Sequence, residues 1–264
     1  MSDTAARPSL ADCARTQLRV IGALVIREMH TRFGRHRFGY LTLFLEPMIL
    51  AIGVGIIHQL HKGERGVRGS FEMYAIGYVL FMKFRQMIMR ASGAIPSNVA
   101  LLHHRQIALP DLFFARHLIE TAACTGVLFL MTFVGIAMGG EYPDSPMKML
   151  AAAALMFLLA QGMALMVGAA TTEWHGIERF IHLMTYLFLP ISGLFFMLYW
   201  LPPWLQEYAV WVPTVHIFEL LRDGQFGEKY WTQYDLLYVA KWILVTHLIG
   251  LAGLRVVRGR IGLE

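Results

Sequence analysis

Charge and cysteine are scarce in this chain of 264 residues: 16% of its residues are Asp, Glu, Lys or Arg, and only two are cysteine. A soluble domain ordinarily carries about a quarter charged residues, so an ordinary soluble enzyme is excluded at the level of composition. Cys13 and Cys124 fall in a charged arm and in an apolar run, so a disulfide is not expected and a structural role is the default. No segment of the form G-x-x-x-x-G-K-[ST] occurs, so the chain lacks the loop whose backbone amides cradle nucleotide phosphates. No short apolar segment with a small-residue cleavage site follows the charged N-terminal stretch, so no secretory signal peptide is expected. An internal repeat is also missing, and any twofold symmetry must come from a second copy.

What the chain has in abundance is apolar sequence. Hydrophobic residues make up 56% of it and the mean hydropathy is +0.51. Six apolar runs of about 20 residues or more, enough to cross the hydrocarbon core as a helix, lie at 39–60, 72–95, 112–139, 147–171, 177–200 and 234–257. A β-barrel is not expected, because its strands alternate with period two. The expected fold class is an all-α polytopic membrane protein with six transmembrane helices.

Residues 1–38 read as an amphipathic arm ahead of a six-span domain at 39–264. Ser9 and Asp12 form a capping signature after Pro8. Leu10, Ala14, Leu18, Ile21, Val25 and Met29 then follow at helical spacing, and Arg15, Arg19 and Arg27 lie off that stripe. Such a helix suits a membrane surface or an acidic partner. With both termini on one side, that side carries fourteen Lys and Arg against seven on the other, which places both termini in the cytoplasm. The net charge of +5 is therefore mostly topology and does not indicate nucleic-acid binding.

The connections differ in kind. Residues 97–110, SNVALLHHRQIALP, read as a capped, basic and apolar single helix over about 97–108, stopped by proline. The longest connection, 200–233, contains WLPPWLQEYAVWVP and HIFELLRDGQFG, two short helices broken by proline and glycine that dip back toward the bilayer. Its aromatic residues Tyr199, Trp200, Trp204, Tyr208 and Trp211 form an interfacial belt, or stack on sugar rings as a polymer leaves.

Inside the spans stand charges that cost about 2.5 to 3.5 kcal/mol each if they face lipid. At 100° per residue, Lys83, Gln86 and Arg90 share one helix face and Arg85 points nearly opposite. One group can line a pathway while the other pairs with a carboxylate, and the expectation is that Lys83 and Arg90 guide an acidic polymer, with Gln86 giving hydrogen bonds, while Arg85 is held by a carboxylate. Glu46 and Glu120 are the available carboxylates, and Glu120 also has Arg116 one turn away. Glu46 and Pro47 mark either a gate or a plain kink. The spacing His58-x-x-His61 has no third ligand nearby in sequence, so no metal is expected.

The run IREMHTRFGRHRFGYLTLFLEP, the loop SNVALLHHRQIALPDLFFAR and the stretch VPTVHIFELLRDGQFG together resemble the membrane subunits of type-2 ABC exporters of capsular polysaccharide and O-antigen, the KpsM-like permeases. The resemblance covers essentially the whole chain. It implies a homodimer in the bacterial inner membrane joined to two copies of a separate ATPase that binds ATP and Mg, with no cofactor in this chain. It makes the arm an interface helix, and it makes Asn98, Leu101, Leu102, His103, His104 and Arg105 part of a coupling helix seated in the ATPase; the paired histidines depart from the simpler basic residue expected there. The helices after Trp200 would be re-entrant and would help close the outer end of a conduit for an acidic, lipid-anchored polymer, with membrane lipids and a periplasmic co-polymerase-type protein as further partners. Two other classes stand against this reading: a membrane-embedded transferase or polymerase acting on lipid-linked sugars, which would show converging catalytic groups, and a secondary transporter, which would show an internal repeat. Neither feature is found.

Overall fold

The computed structural model describes residues 9–33, 39–60, 70–102, 107–174 and 176–260, and these are helical, with turns and no strand. The helices are α1 (Leu10–Phe33), α2 (Gly39–Leu60), α3 (Phe71–Ala91), α4 (Val99–Leu102), α5 (Leu109–Ala137), α6 (Pro146–Glu173), α7 (Ile177–Leu187), α8 (Pro203–Ala209), α9 (Pro213–Phe226) and α10 (Leu236–Arg260). Of these, α5, α6 and α10 are long and apolar enough to cross a membrane. Helix α3 has 21 residues, about 31 Å at 1.5 Å per residue, but its four charged side chains lower its hydropathy.

Helix α6 is the centre of the packing. It lies against α3, α5, α9 and, along most of its length, α10. The α6–α10 seam is close because glycines leave room for it, the usual basis of tight helix pairing in membranes. A Cβ on Gly162 would meet Thr246 Oγ1 at 2.3 Å, and one on Gly250 would meet Leu165 Cβ at 2.6 Å. Where α5 crosses α6, the fully buried Phe113 ring fills the space beside Gly168. The largest apolar cluster joins Val79, Leu80 and Met87 of α3 with Leu128 and Met131 of α5, Met156 and Leu159 of α6, and Phe218 of α9.

Helix α1 starts as expected, with Asp12 N donating to Ser9 Oγ (3.2 Å). Its buried side differs from the apolar stripe read from the sequence. Residues 11–19 are exposed, Leu18 at 70%, and burial falls on Leu24 and Glu28, with Val20, Ile21 and Val25 half-buried. The reason is that α1 meets α5 through polar partners, which choose the facing side irrespective of the greasiest stripe. The Gln17 amide donates to Asp111, and Glu28 pairs with Arg116 at 3.1 Å.

Of the single helix expected over 97–108, the described residues show only the first part. A 3-10 turn over Pro96–Asn98 precedes α4, which has four residues, and 103–106 lie outside the described residues. Ser97 does not cap; its hydroxyl donates back to Gly93 O at 2.9 Å.

The largest correction concerns the run 177–200. Helix α7 ends at Leu187 after 11 residues, and the chain continues in turns to a short 3-10 segment at Leu198–Trp200. Pro190 has no N–H to give and its ring opposes helix continuation, while Gly193 takes φ +96°, a left-handed conformation that favours glycine. The backbone groups freed by this break are met from α9. Arg222 Nη2 donates to Gly193 O (2.6 Å) and Leu194 O (2.9 Å), and Nη1 donates to Phe196 O. Glu219 Oε1 accepts from Arg222 Nη1 (3.2 Å) and from Leu198 N (3.1 Å), and its Oε2 accepts from Gln233 N (3.3 Å). Thr214 Oγ1 donates to Ser192 O at 2.8 Å. Arg222 is 3% exposed. It is thus an interior cap, and it drops out of the surface charge on which orientation was counted.

Two stability outcomes follow from these contacts. Arg222→Ala strands a buried carboxylate and three carbonyls, and should lower stability by about 3 to 5 kcal/mol, read as a fall in the apparent melting temperature of the detergent-solubilised protein; Arg222→Lys, a point donor without the fork, restores only part. Wild-type melting in Arg222→Ala contradicts the capping role. At the α6–α10 seam, Gly250→Val should cost about 1 to 3 kcal/mol by overpacking. Gly22→Ala, with nothing within 4 Å of the added Cβ, should be neutral or stabilising in the same assay.

Candidate functional site

The charges of α3 divide by helix face, as their spacing requires, and each finds a different kind of partner. Lys83 is 1% exposed; its Nζ donates to Ala153 O of α6 at 2.7 Å and lies 5.8 Å from the Phe157 ring centre. The space around it, bounded by Val79, Cys124, Leu128 and Ala153, has no room for water. Arg90, on the same face, pairs with Glu120 of α5 at 3.2 Å. Glu120 therefore serves α3, and Arg116 is taken by Glu28 of α1 in place of the Glu120 one turn away.

Arg85, expected beside a carboxylate, has none among the described residues. Its guanidinium lies 3.8 Å from the centre of the Tyr186 ring of α7, and its Nε is buried without a hydrogen-bond partner. A guanidinium over an aromatic ring recovers about 0.5 to 1 kcal/mol where the ring is exposed, against about 2.5 to 3.5 kcal/mol for a charge at mid-membrane depth. Arg85 and the neighbouring Gln86 are only half-buried. Arg85 occupies the open side of α3 and Lys83 is sealed on the packed side, while Gln86, about 60° round the helix from Lys83, lies at the edge between them rather than within the Lys83 face. On α2, Pro47 is buried within a continuous helix. The side chains of Glu46 and His58, and all of His61, lie outside the described residues.

At the other pole of α3, the arm and the predicted coupling loop come together. Arg27 Nη1 of α1 donates to the Asn98 side-chain oxygen at 3.1 Å, and Asn98 Nδ2 donates to Ala94 O at 2.8 Å. Leu24, Leu102, Leu109, Phe113, Leu254 and Val257 pack in one cluster beneath this contact, and Leu101 lies partly buried at its edge. Arg15 and Arg19 remain exposed on the uncovered half of α1. His103, His104 and Arg105 lie outside the described residues. The link between Arg27 and Asn98 was not legible in the sequence, where 71 residues separate the two.

The aromatic residues after α7 separate into two groups. Tyr199 and Trp200 meet edge to face with ring centres 5.9 Å apart. Trp204, Tyr208 and Trp211 are exposed on α8 and the turn that follows it. Trp211 borders an open cleft of about 440 Å³, closed on its other side by His216, Tyr234, Asp235 and Tyr238. His216 is held there at both ring nitrogens: Asp235 N donates to its Nδ1 (3.1 Å), and its Nε2 lies 2.8 Å from Val210 O. Tyr234 donates to Asp223 (2.7 Å), which also receives Lys148 (2.8 Å); the hydrogen bond to Asp223 raises the phenol's proton affinity above its usual range. Sequence reading passed over Thr214, His216, Glu219 and Asp223, although Glu219-x-x-Arg222 within an apolar stretch was a signal for an internal pair.

Residues 19–226 match the ABC-2 type transporter family. Among similar proteins, the capsule polysaccharide export inner-membrane protein CtrC of Neisseria meningitidis serogroup B is 36% identical over 238 residues, 89% of this chain and 90% of that protein. The capsule polysaccharide export inner-membrane protein BexB of Haemophilus influenzae is 31% identical over 237 residues, 89% of each chain. The polysialic acid transport protein KpsM of Escherichia coli is 30% identical over 237 residues, 88% of this chain and 91% of that one. With its long apolar helices, its broken segment capped from α9 and a likeness that runs through nearly all of its length, this chain belongs to the ABC-2 type transporter family of membrane proteins.

Proposed function

We propose that this chain is the membrane subunit of an ABC exporter that moves capsular polysaccharide across the bacterial inner membrane, worked by a separate ATPase. The observation that carries the reading is the similarity, over about nine-tenths of the chain, to relatives named for capsule polysaccharide export. The missing phosphate loop supports it, since a permease without one needs a partner to bind ATP and Mg. The six spans are then α2, α3, α5, α6, α7 with the turns after it, and α10. Helices α8 and α9 form the re-entrant segment on the periplasmic side, and both termini are cytoplasmic. Two copies of the chain and two ATPase subunits make the assembly.

In this scheme α1 and the 96–102 turn dock the ATPase as one unit, because Arg27 and Asn98 tie them together. Lys83 and Arg90 hold α3 against α6 and α5, and Gln86 faces the conduit beside Arg85. Pro47, with Glu46 before it, bends α2 at a gate. Trp204, Tyr208 and Trp211, with the Tyr199 and Trp200 pair, form the exit, where flat aromatic faces suit sugar rings and where a periplasmic export partner would meet the subunit.

Orientation is tested on the native Cys13, which is exposed on α1. A membrane-impermeant maleimide should leave Cys13 unlabelled in spheroplasts and label it after permeabilisation, and should reach a cysteine placed at the exposed Glu207 without permeabilisation. Labelling of Cys13 in sealed spheroplasts contradicts the topology. Coupling is tested by Leu102→Pro, which breaks α4, and by Asn98→Ala, which removes the acceptor for Arg27. Both should leave the subunit in the membrane and cut surface capsule by roughly tenfold or more, consistent with the loss of one charged hydrogen bond. Wild-type export in both variants counts against a coupling role for this turn.

A further inference from the structure

Within the helical bundle, cations are answered by protein. Lys83 has Ala153 O, Arg90 has Glu120, Arg116 has Glu28, and Arg222 has Glu219 and three carbonyls. Arg85 has an aromatic ring, and its buried Nε has no hydrogen-bond partner among the described residues. Stacking uses the face of a guanidinium and leaves its in-plane N–H donors pointing outward, in a fork that fits a carboxylate or phosphate edge-on. The ring it lies on belongs to Tyr186, which is 59% exposed, so the platform opens away from the packed interior. Arg85 is six residues, about 9 Å of rise, from the end of α3 that leads into the turn holding Asn98. The platform therefore sits in the half of the helix nearer the proposed ATPase.

The geometry points to the Arg85–Tyr186 pair as an anion-binding site that receives an acidic group of the transported molecule near the entry side of the conduit. This rests on the transport reading and adds to it a ligand class, a carboxylate or phosphate oxyanion. It assigns the role to Arg85, with Tyr186 as the residue that positions it. The anion completes the in-plane hydrogen bonds that the ring cannot supply, in surroundings where such a pair is stronger than in water. The source is either a carboxylate of an acidic polysaccharide or the phosphate of a lipid.

The test uses the full chain in phosphatidylcholine nanodiscs, titrated with an oligomer of sialic acid and, separately, with a neutral maltooligosaccharide of equal length. The sialic acid oligomer should bind more tightly than the neutral one. Arg85→Gln should weaken it at least tenfold without altering the neutral sugar, and Arg85→Lys should fall between. Tyr186→Leu, which keeps an apolar contact but removes the platform, should weaken it several-fold. A second arm adds phosphatidylglycerol to the nanodiscs and counts retained lipid by native mass spectrometry. Loss of retained phosphatidylglycerol in Arg85→Gln, with oligomer binding unchanged, assigns the anion to a bilayer lipid phosphate and overturns the site as a receiver of the transported molecule. If Arg85→Gln does not fold, Arg85→Lys and Tyr186→Leu decide the matter by the same readouts. Unchanged binding of both probes across the variants overturns the site. Capsule export in cells separates the two claims: normal export with Arg85→Gln alongside lost export with Leu102→Pro overturns the anion site and leaves the transport reading standing.

Discussion

A polar backbone inside an apolar bundle must find partners, and at the break after α7 they come from one guanidinium. Arg222 answers the carbonyls of Gly193, Leu194 and Phe196, and Glu219 balances its charge while taking Leu198 N. Without that exchange, Pro190 and Gly193 would leave several buried groups unpaired, each costing about 1 to 3 kcal/mol. The same helix fixes the approach to α10 through His216 and Asp235, and the base of α6 through Asp223 and Lys148. Helix α9 is therefore the shared fastening of three neighbouring segments, which is why nearly all of it is buried although much of it is polar.

The opposite pole is organised by a different rule. There α1 is held mainly along its second half, by Glu28 with Arg116 and by Arg27 with Asn98. Among the described residues its first half is touched only where Gln17 reaches Asp111, and Arg15, Arg19 and Leu18 stay exposed to another surface. A helix anchored at one end and mostly bare at the other is suited to meet a partner, and the Arg27 contact carries any displacement of that arm to the turn after α3.

Periodicity and composition made much of the fold legible. The apolar runs located α2, α3, α5, α6 and α10 to within a few residues, and the helix angle placed Lys83 and Arg90 on one face and Arg85 on the other. What escaped were long-range polar choices. The pairing of Glu120 with Arg90, and of Arg116 with Glu28, depends on which helices become neighbours, and local spacing favoured the pair one turn apart. The break in the 177–200 run was written in Pro190 and Gly193, but hydropathy outweighed them, because the compensating Arg222 lies about 30 residues on. On α1 the side that meets α5 is chosen by the polar contacts of Gln17 and Glu28, which the apolar stripe does not reveal.

The glycine seam between α6 and α10 has a mechanical meaning. Helix α6 has 28 residues, about 42 Å, with Lys148 tied to Asp223 near its start and Glu173 tied to Arg260 at its end. Gly162 and Gly250 bring α10 so close that a small rotation of either helix would drive Thr246 or Leu165 into the opposing backbone. Close packing at both glycines resists sliding of one helix past the other, so the ion pairs at Lys148 and at Arg260 are joined by one doubled strut rather than by two separate helices.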